Sequence, residues 1–395
     1  MKTRERRCGR YLVSACLLVM LMGVLLAGSG NASKNSLITD ASGLWSYRLI
    51  DGGVEIIHYE GTPEGALVIP GQIDGHAVKE ISITTFSKSS HPTSVVIPDG
   101  VTSISDFVFF GCDKLVSITI PDSVKNIGSY YECSSLRSIH LPDGVTSIAN
   151  SAFYFCSSLR NIVLPDGVTN IGKRAFYNCG SLMTATIPDS IVSIGESAFY
   201  GCNSLTSIHI PIGVTSIEKE TFHSCGGLTS VIIPNSVTSI GERAFSECTG
   251  LKSVTLHDGL TSMGTRAFSG CENLTSIDIP AGVTSIGDYA FGWCKKITSI
   301  TLPSGITKIG KAMFMDCTNL ANVFIPESVT SIGDSAFCKC TSLSNITIPA
   351  GVTSIGDMVF RDCGANFLLY VAEGSYAEQY AKEQGIQYDY ISDET

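Results

Sequence analysis

A proline that returns at a fixed interval is the feature that most limits how this chain can fold. It stands at Pro98, Pro121, Pro142, Pro165, Pro188, Pro211, Pro234, Pro280, Pro303, Pro326 and Pro349, with His257 in its place once. Every interval is 23 residues except Pro121 to Pro142, which is 21. Self-similarity at such a period is the signature of a solenoid, in which each unit is one turn of a stack. Six residues before the proline runs a leucine ladder from Leu115 to Leu343, with Ile297 substituting once. Three before and one before are aliphatic, as in Ile208 and Ile210, so the segment alternates with period two and predicts a short strand with one buried face. Three and six residues after the proline come Val214 and Ile217, a second extended segment. A spine runs from Phe109 to Phe360, with Tyr130 in the shortened unit. Glycine follows the second segment at Gly172, Gly195 and Gly241, where a turn is expected.

No 23-residue unit can bury these faces alone, but stacked units cover one another. The fold class expected is a repeat solenoid of about twelve units, mainly β, with short helical or irregular convex segments. Rungs about 4.8 Å apart would give a rod or arc on the order of 55–60 Å long.

The two ends carry different information. Lys2, Arg4, Arg6, Arg7 and Arg10 precede the apolar run Tyr11 to Ala27, and small residues follow through Ala32. This reads as a signal peptide over 1–32, cleaved after Ala32, with Ser29 a nearly equal cleavage point; the rival reading is an uncleaved anchor, the only route to a membrane. The C-terminal Tyr390 to Thr395 has no hydrophobic tail or basic cluster. Without 1–32 the chain holds twenty-one basic against thirty-five acidic residues, a surface that repels phosphate backbones, so nucleic acid is not expected as a partner. Expected domains are an N-terminal hairpin cap over 33–65, the solenoid over 66–371 and a C-terminal cap over 372–395.

The motif Leu-Thr-Ser-Ile-x-Ile-Pro-x-x-Val-Thr-Ser-Ile-Gly-x-x-Ala-Phe-x-x-Cys resembles the leucine-rich repeat of the BspA-like, Treponema pallidum type. The resemblance covers residues 66–371 and extends to the flanks: Trp45 to Tyr59 is similar to that family's N-terminal hairpin, and Glu373 to Tyr390 to a closing helix and strand. It implies a secreted or cell-surface protein that binds host matrix proteins, other cells or community partners. The alternative is a structural, self-associating component of the cell envelope.

Fifteen cysteines in an exported chain would ordinarily mean disulfides. Twelve of them, Cys112 to Cys363, occupy one slot of successive repeats, so their side chains point the same way and are expected to be free buried thiols. Ligands set one per rung in a line cannot surround a metal. Cys338 lies off that ladder and is expected near the surface. No zinc-protease helix motif, nucleophile elbow or phosphate loop is present. The recurrent Thr-Ser-Ile is scaffold, and no residue stands out as uniquely catalytic. The chain reads as a non-enzyme without cofactor.

Three files could bind. The first is the variable slot two before the proline, on the outward strand face: His140, Val163, Thr186, His209, Ile232, Thr255, Asp278 and Phe324. Variation on a rigid face suits a protein ligand, and exposed Ile232 and Phe324 need a reason; the plain alternative is strand propensity. The second is an edge of rings, Phe110, Tyr131, Tyr154, Tyr177 and Tyr200, followed by His223. It could grip a carbohydrate or peptide, or be a packing ladder. The third is an acidic file, Asp99, Asp122, Asp143, Asp166 and Asp189, whose plain reading is turn chemistry.

Overall fold

Each turn of chain contributes to three hydrogen-bonded walls, because three stretches of the repeat lie against the same stretches of the next turn. A computed structural model describes residues 36–62, 65–83, 85–87 and 92–391; the expected export segment falls outside the described residues. The first wall holds short parallel strands such as Ser230–Ile232 and Ser253–Thr255, with Val231 opposite Val254 and alternate residues buried. The second holds two-residue strands, as where Ser239–Ile240 pairs with both Ser216–Ile217 and Ser262–Met263. The third is the phenylalanine segment: the Arg243, Phe245 and Glu247 amides donate to the carbonyls of Thr265, Ala267 and Ser269 at 2.9, 2.9 and 2.7 Å.

Of the two forms expected for that third segment, the irregular one is found. It is a run of tight turns, and among the described residues the one helix, α1 (Tyr376–Gln384), lies beyond the repeats. Two residues per turn take left-handed backbone, two before and two after the spine ring. Arg243 (φ 54°) and Glu247 (φ 60°) flank Phe245; Tyr289 (φ 59°) and Trp293 (φ 61°) flank Phe291. Such conformations cost on the order of 1 kcal/mol each in a side-chain-bearing residue. Burial offsets them. The spine rings from Phe109 to Phe337 are fully buried and stack nearly parallel, with centroids 5.1–5.9 Å apart.

The cysteine slot has a second reason besides size. Each ladder thiol donates to the spine carbonyl of the preceding turn, as Cys271 Sγ does to the Phe245 carbonyl at 3.2 Å. That carbonyl also accepts the Cys248 amide at 3.3 Å. Thiols thus satisfy acceptors that would otherwise be half-used in the core.

The glycines after the second strand open the expected turns, as the Ala244 amide donates to the Gly241 carbonyl at 3.3 Å, but left-handed backbone is not why they are glycine. Gly172, Gly195 and Gly241 are absent from the residues with positive φ. They are small because the preceding turn is close: a Cβ on Gly241 would stand 2.8 Å from the Lys219 amide nitrogen. At two of the slots that carry a Cβ, Ala149 and Glu218, the strands Ser147–Ile148 and Ser216–Ile217 each begin a new sheet segment, whereas Ser103–Ile104, with Ser105 in the slot, stays paired to His76–Ile81. A third break, before Lys308–Ile309, occurs with Gly310 in the slot.

The 21-residue unit keeps its place in the stack by putting Tyr130 between Phe109 and Phe153, at 5.5 and 5.4 Å. Its hydroxyl is buried with no partner among the described residues, and burial drives its pKa well above the usual phenol value. A buried hydroxyl without a partner costs about 1–3 kcal/mol. Tyr130→Phe is therefore expected to raise the melting temperature; a fall would mean that an internal water holds the hydroxyl.

The ends are closed by aromatic packing and a helix. An antiparallel hairpin, Trp45–Ile50 with Gly53–Tyr59, brings Trp45 and Tyr59 onto Phe86, which stacks on Phe109 at 5.6 Å. At the other end Phe367 covers Phe360 at 5.1 Å, and strands Leu368–Val371 and Gln387–Tyr390 continue the first wall. Helix α1 is capped by Ser375 and ends at Gly385 in left-handed backbone. Glu378 accepts from Lys382 (2.5 Å), the Gly374 amide (2.7 Å) and the Tyr390 hydroxyl (2.9 Å), which together hold its pKa down to about 2. A depressed carboxyl stabilises the fold above its unfolded pKa and loses that contribution as pH falls through the folded one. The cap should weaken between the ordinary 4.5 and about 2. Loss of helical circular dichroism over that window is expected in the native protein and not in Glu378→Gln.

Candidate functional site

The strand in the first wall points alternate side chains inward and outward, and the slot two before the proline points out. His140, Val163, Thr186, His209, Ile232, Thr255, Asp278 and Phe324 are all exposed. Exposure of the large apolar members is unusual in degree: Val163 is 63 %, Ile232 69 % and Phe324 61 % accessible. Their inward neighbours in the strand, Ile162 and Val231, are buried, so the strand cannot rotate them inside without exposing the core.

The file is not one continuous sheet. Hydrogen-bonded strands pair Val163 with Thr186, Ile232 with Thr255, Thr301 with Phe324, and Thr347 with Tyr370. His209 and Asp278 lie on turns that contribute no strand to this wall. The seam between Asn322–Phe324 and Asn345–Thr347 carries no ladder, and a shallow groove opens there, lined by Thr301, Asn322, Phe324, Asn345 and Thr347. His209 Nε2 lies 2.9 Å from Asp189 Oδ1, which shows that the outward slot of one turn sits beside the residue after the proline of the turn before.

The ring edge is built differently. Phe110 and Tyr131 are 5.3 Å apart; Tyr131, Tyr154, Tyr177 and Tyr200 follow at 4.4, 4.9 and 4.4 Å with interplanar angles of 10–14°, and His223 closes the file at 4.6 Å. Each inner ring has a neighbour over both faces, which leaves edges and hydroxyls to the outside. Tyr177 is buried. Burial first, then the neighbouring Tyr154 and Glu132, raises the Tyr131 phenol. A sugar stacking on a ring face would find those faces taken.

Cys338 shares the slot of those rings and is buried, a correction to its expected surface position. The slot lies two residues before the ladder cysteine, and the packing that buries Tyr177 buries the thiol too. Three outward residues carried no flag in the sequence reading: Val68, Val192 and Ile212, at 66, 54 and 75 % exposure. The available signal was departure from the slot: Val192 stands where Thr169 and Thr215 flank it, and Ile212 follows five aspartates.

The model of the BspA type leucine-rich repeat region matches residues 79–183, 128–252 and 239–366. A leucine-rich repeat protein from Bacteroides ovatus ATCC 8483 is 30 % identical, with 91 % of this chain and 100 % of that chain covered and a TM-score of 0.75. A leucine-rich cell surface protein from Faecalibacterium prausnitzii A2-165 is also 30 % identical, with 89 % and 98 % covered and a TM-score of 0.57. No curated protein matches. This chain is a member of the BspA-type leucine-rich repeat family.

Proposed function

We propose that this chain is a secreted or cell-surface binding protein that captures a protein ligand on the outward face of its first wall. The observation that carries the reading is the exposure of Val163, Ile232 and Phe324 on a wall whose inward residues pin their direction. Large apolar side chains held in water on a rigid face are the raw material of interface hot spots. Host matrix protein or the surface of another cell is the partner class, with carbohydrate a lesser candidate. The protein works by binding and not by catalysis: its hydroxyl files recur in turn after turn, as the Thr238 side chain bonds the Thr215 carbonyl and Thr261 that of Thr238.

Export rests on the basic and apolar stretches within residues 1–32. One observation favours a second reading, self-association in the cell envelope: among the described residues strand Gln387–Tyr390 ends its sheet, with one edge unpaired. Light scattering of the purified protein separates the two, since concentration-dependent growth without ligand capture belongs to the second.

Ile232→Ser together with Phe324→Ser is expected to weaken capture of a matrix ligand by about 2–4 kcal/mol while leaving the melting temperature within about 2 °C. Unchanged capture in that double variant would remove the outward face as the site. Loss with Tyr154→Ser and Tyr177→Ser instead would move it to the ring edge.

A further inference from the structure

Three departures from the repeat converge on one corner of the molecule. The slot four after the proline is threonine in most turns, where its hydroxyl bonds the preceding turn's threonine carbonyl, as Thr238 does to Thr215; Val192 cannot do so. The slot one after the proline is aspartate in the five turns from Asp99 to Asp189 and then becomes Ile212. The outward slot of the next turn is Ile232. The His209–Asp189 contact shows how these slots meet across a turn, and the repeat puts Ile232 and Ile212 in the same pair of slots one turn on. Val192 leans over the same backbone, its Cγ1 3.3 Å from where a Cβ of Gly213 would stand. Single exposed aliphatics are ordinary, but three from adjacent turns in one place are not.

The surroundings of this apolar corner are acidic. Asp166 and Asp189 occupy the two preceding turns in the slot of Ile212, all five aspartates of the file are exposed, and Asp258 lies two turns beyond. No lysine or arginine of the described residues forms an ion pair with Asp99, Asp122, Asp143, Asp166 or Asp189. Elsewhere acids and bases are paired across turns: Lys173 with Glu196, Lys219 with Glu242, Lys295 with Glu272. The aspartate file beside the exposed aliphatics is thus a run of acids without basic partners across the turns.

We propose that this corner docks a cationic, apolar segment of a partner protein, in which aliphatic side chains flanked by lysine or arginine sit on Val192, Ile212 and Ile232 while the basic groups lie along the aspartate file. The proposal rests on the reading of the chain as a binding protein and assigns the partner chemistry of part of that face. Complementary charge would steer the encounter and set its salt dependence, while the aliphatics supply the short-range contact.

The test uses fluorescein-labelled Lys-Lys-Leu-Leu-Lys-Lys, with Glu-Glu-Leu-Leu-Glu-Glu and Lys-Lys-Ser-Ser-Lys-Lys as controls, titrated with the purified full chain. The lysine–leucine peptide is expected to bind at least about tenfold more tightly than either control. Ile212→Ser with Ile232→Ser should weaken it about tenfold, and Asp166→Asn with Asp189→Asn should do so by about threefold and flatten the salt dependence. Equal binding of the three peptides, no binding by any, or indifference to both double variants would overturn the proposal. Phe324→Ser separates it from the wider reading. If the matrix ligand depends on Phe324 while the peptide fails, the binding face stands and the cationic segment falls; if no outward residue affects any capture, the wider reading falls as well.

Discussion

Phe245→Ala is expected to destabilise the protein by about 3–5 kcal/mol, the range for removing a fully buried aromatic ring. The ring stacks on Phe222 at 5.3 Å and Phe268 at 5.4 Å, so its loss opens a gap between two turns and takes contacts from both neighbours. In a stack whose turns touch only their neighbours, such a gap divides the molecule. Calorimetry should show not only a lower melting temperature but a broadened or split transition, with the blocks before and after the gap melting separately. A shift under about 1 kcal/mol with a single sharp transition would mean that the turns close over the gap and the spine is not what couples them.

The second large effect concerns reactivity. The ladder cysteines from Cys112 to Cys340 are fully buried thiols outside any disulfide, and desolvation pushes Cys248 up to about 12. A thiol must ionise and meet its reagent, and here both require the stack to open. With a stability in the ordinary domain range, labelling by maleimide at neutral pH should be at least about a thousandfold slower than for a model thiol. In denaturant the ladder thiols should all react at once. Cys338 and the half-buried Cys363, near the C-terminal end of the stack, are the two expected to react first in the folded protein. Rapid native labelling throughout, or disulfides on a non-reducing gel, would contradict the burial of the ladder.

The solenoid was legible in the sequence because its physics is periodic: Leu205, Ile210, Val214, Ile217 and Phe222 mark the buried side of one turn, and the next turn repeats them. Other features were hidden because they depend on what lies one turn away. Gly241 opens a turn, as the sequence suggests, but its lack of a side chain answers to Lys219 across the stack. Left-handed backbone at Arg243 or Trp293 leaves no compositional trace, since burial of the neighbouring ring offsets the cost whatever side chain is present. Cys271 reads as a small apolar filler until the Phe245 carbonyl is seen beneath its sulfur. The candidate face was legible in direction, because alternation places Ile232 and Phe324 outside. The corner proposed at Ile212 and Ile232 was not, since it needs the offset between turns that His209 and Asp189 reveal.

The hydrogen bonds of the cysteine ladder all run one way, from a thiol to the carbonyl laid down 26 residues earlier, or 24 in one case. The structure therefore has a polarity that its near-identical turns conceal. A turn added at the C-terminal end arrives with a donor and finds its acceptor already in place, which suits a chain made from its N-terminus. Within this ladder, trimming turns from the C-terminal end would free a carbonyl, which water can serve. Trimming from the N-terminal end would leave a thiol facing nothing, so the two ends of this molecule should differ in how they tolerate shortening.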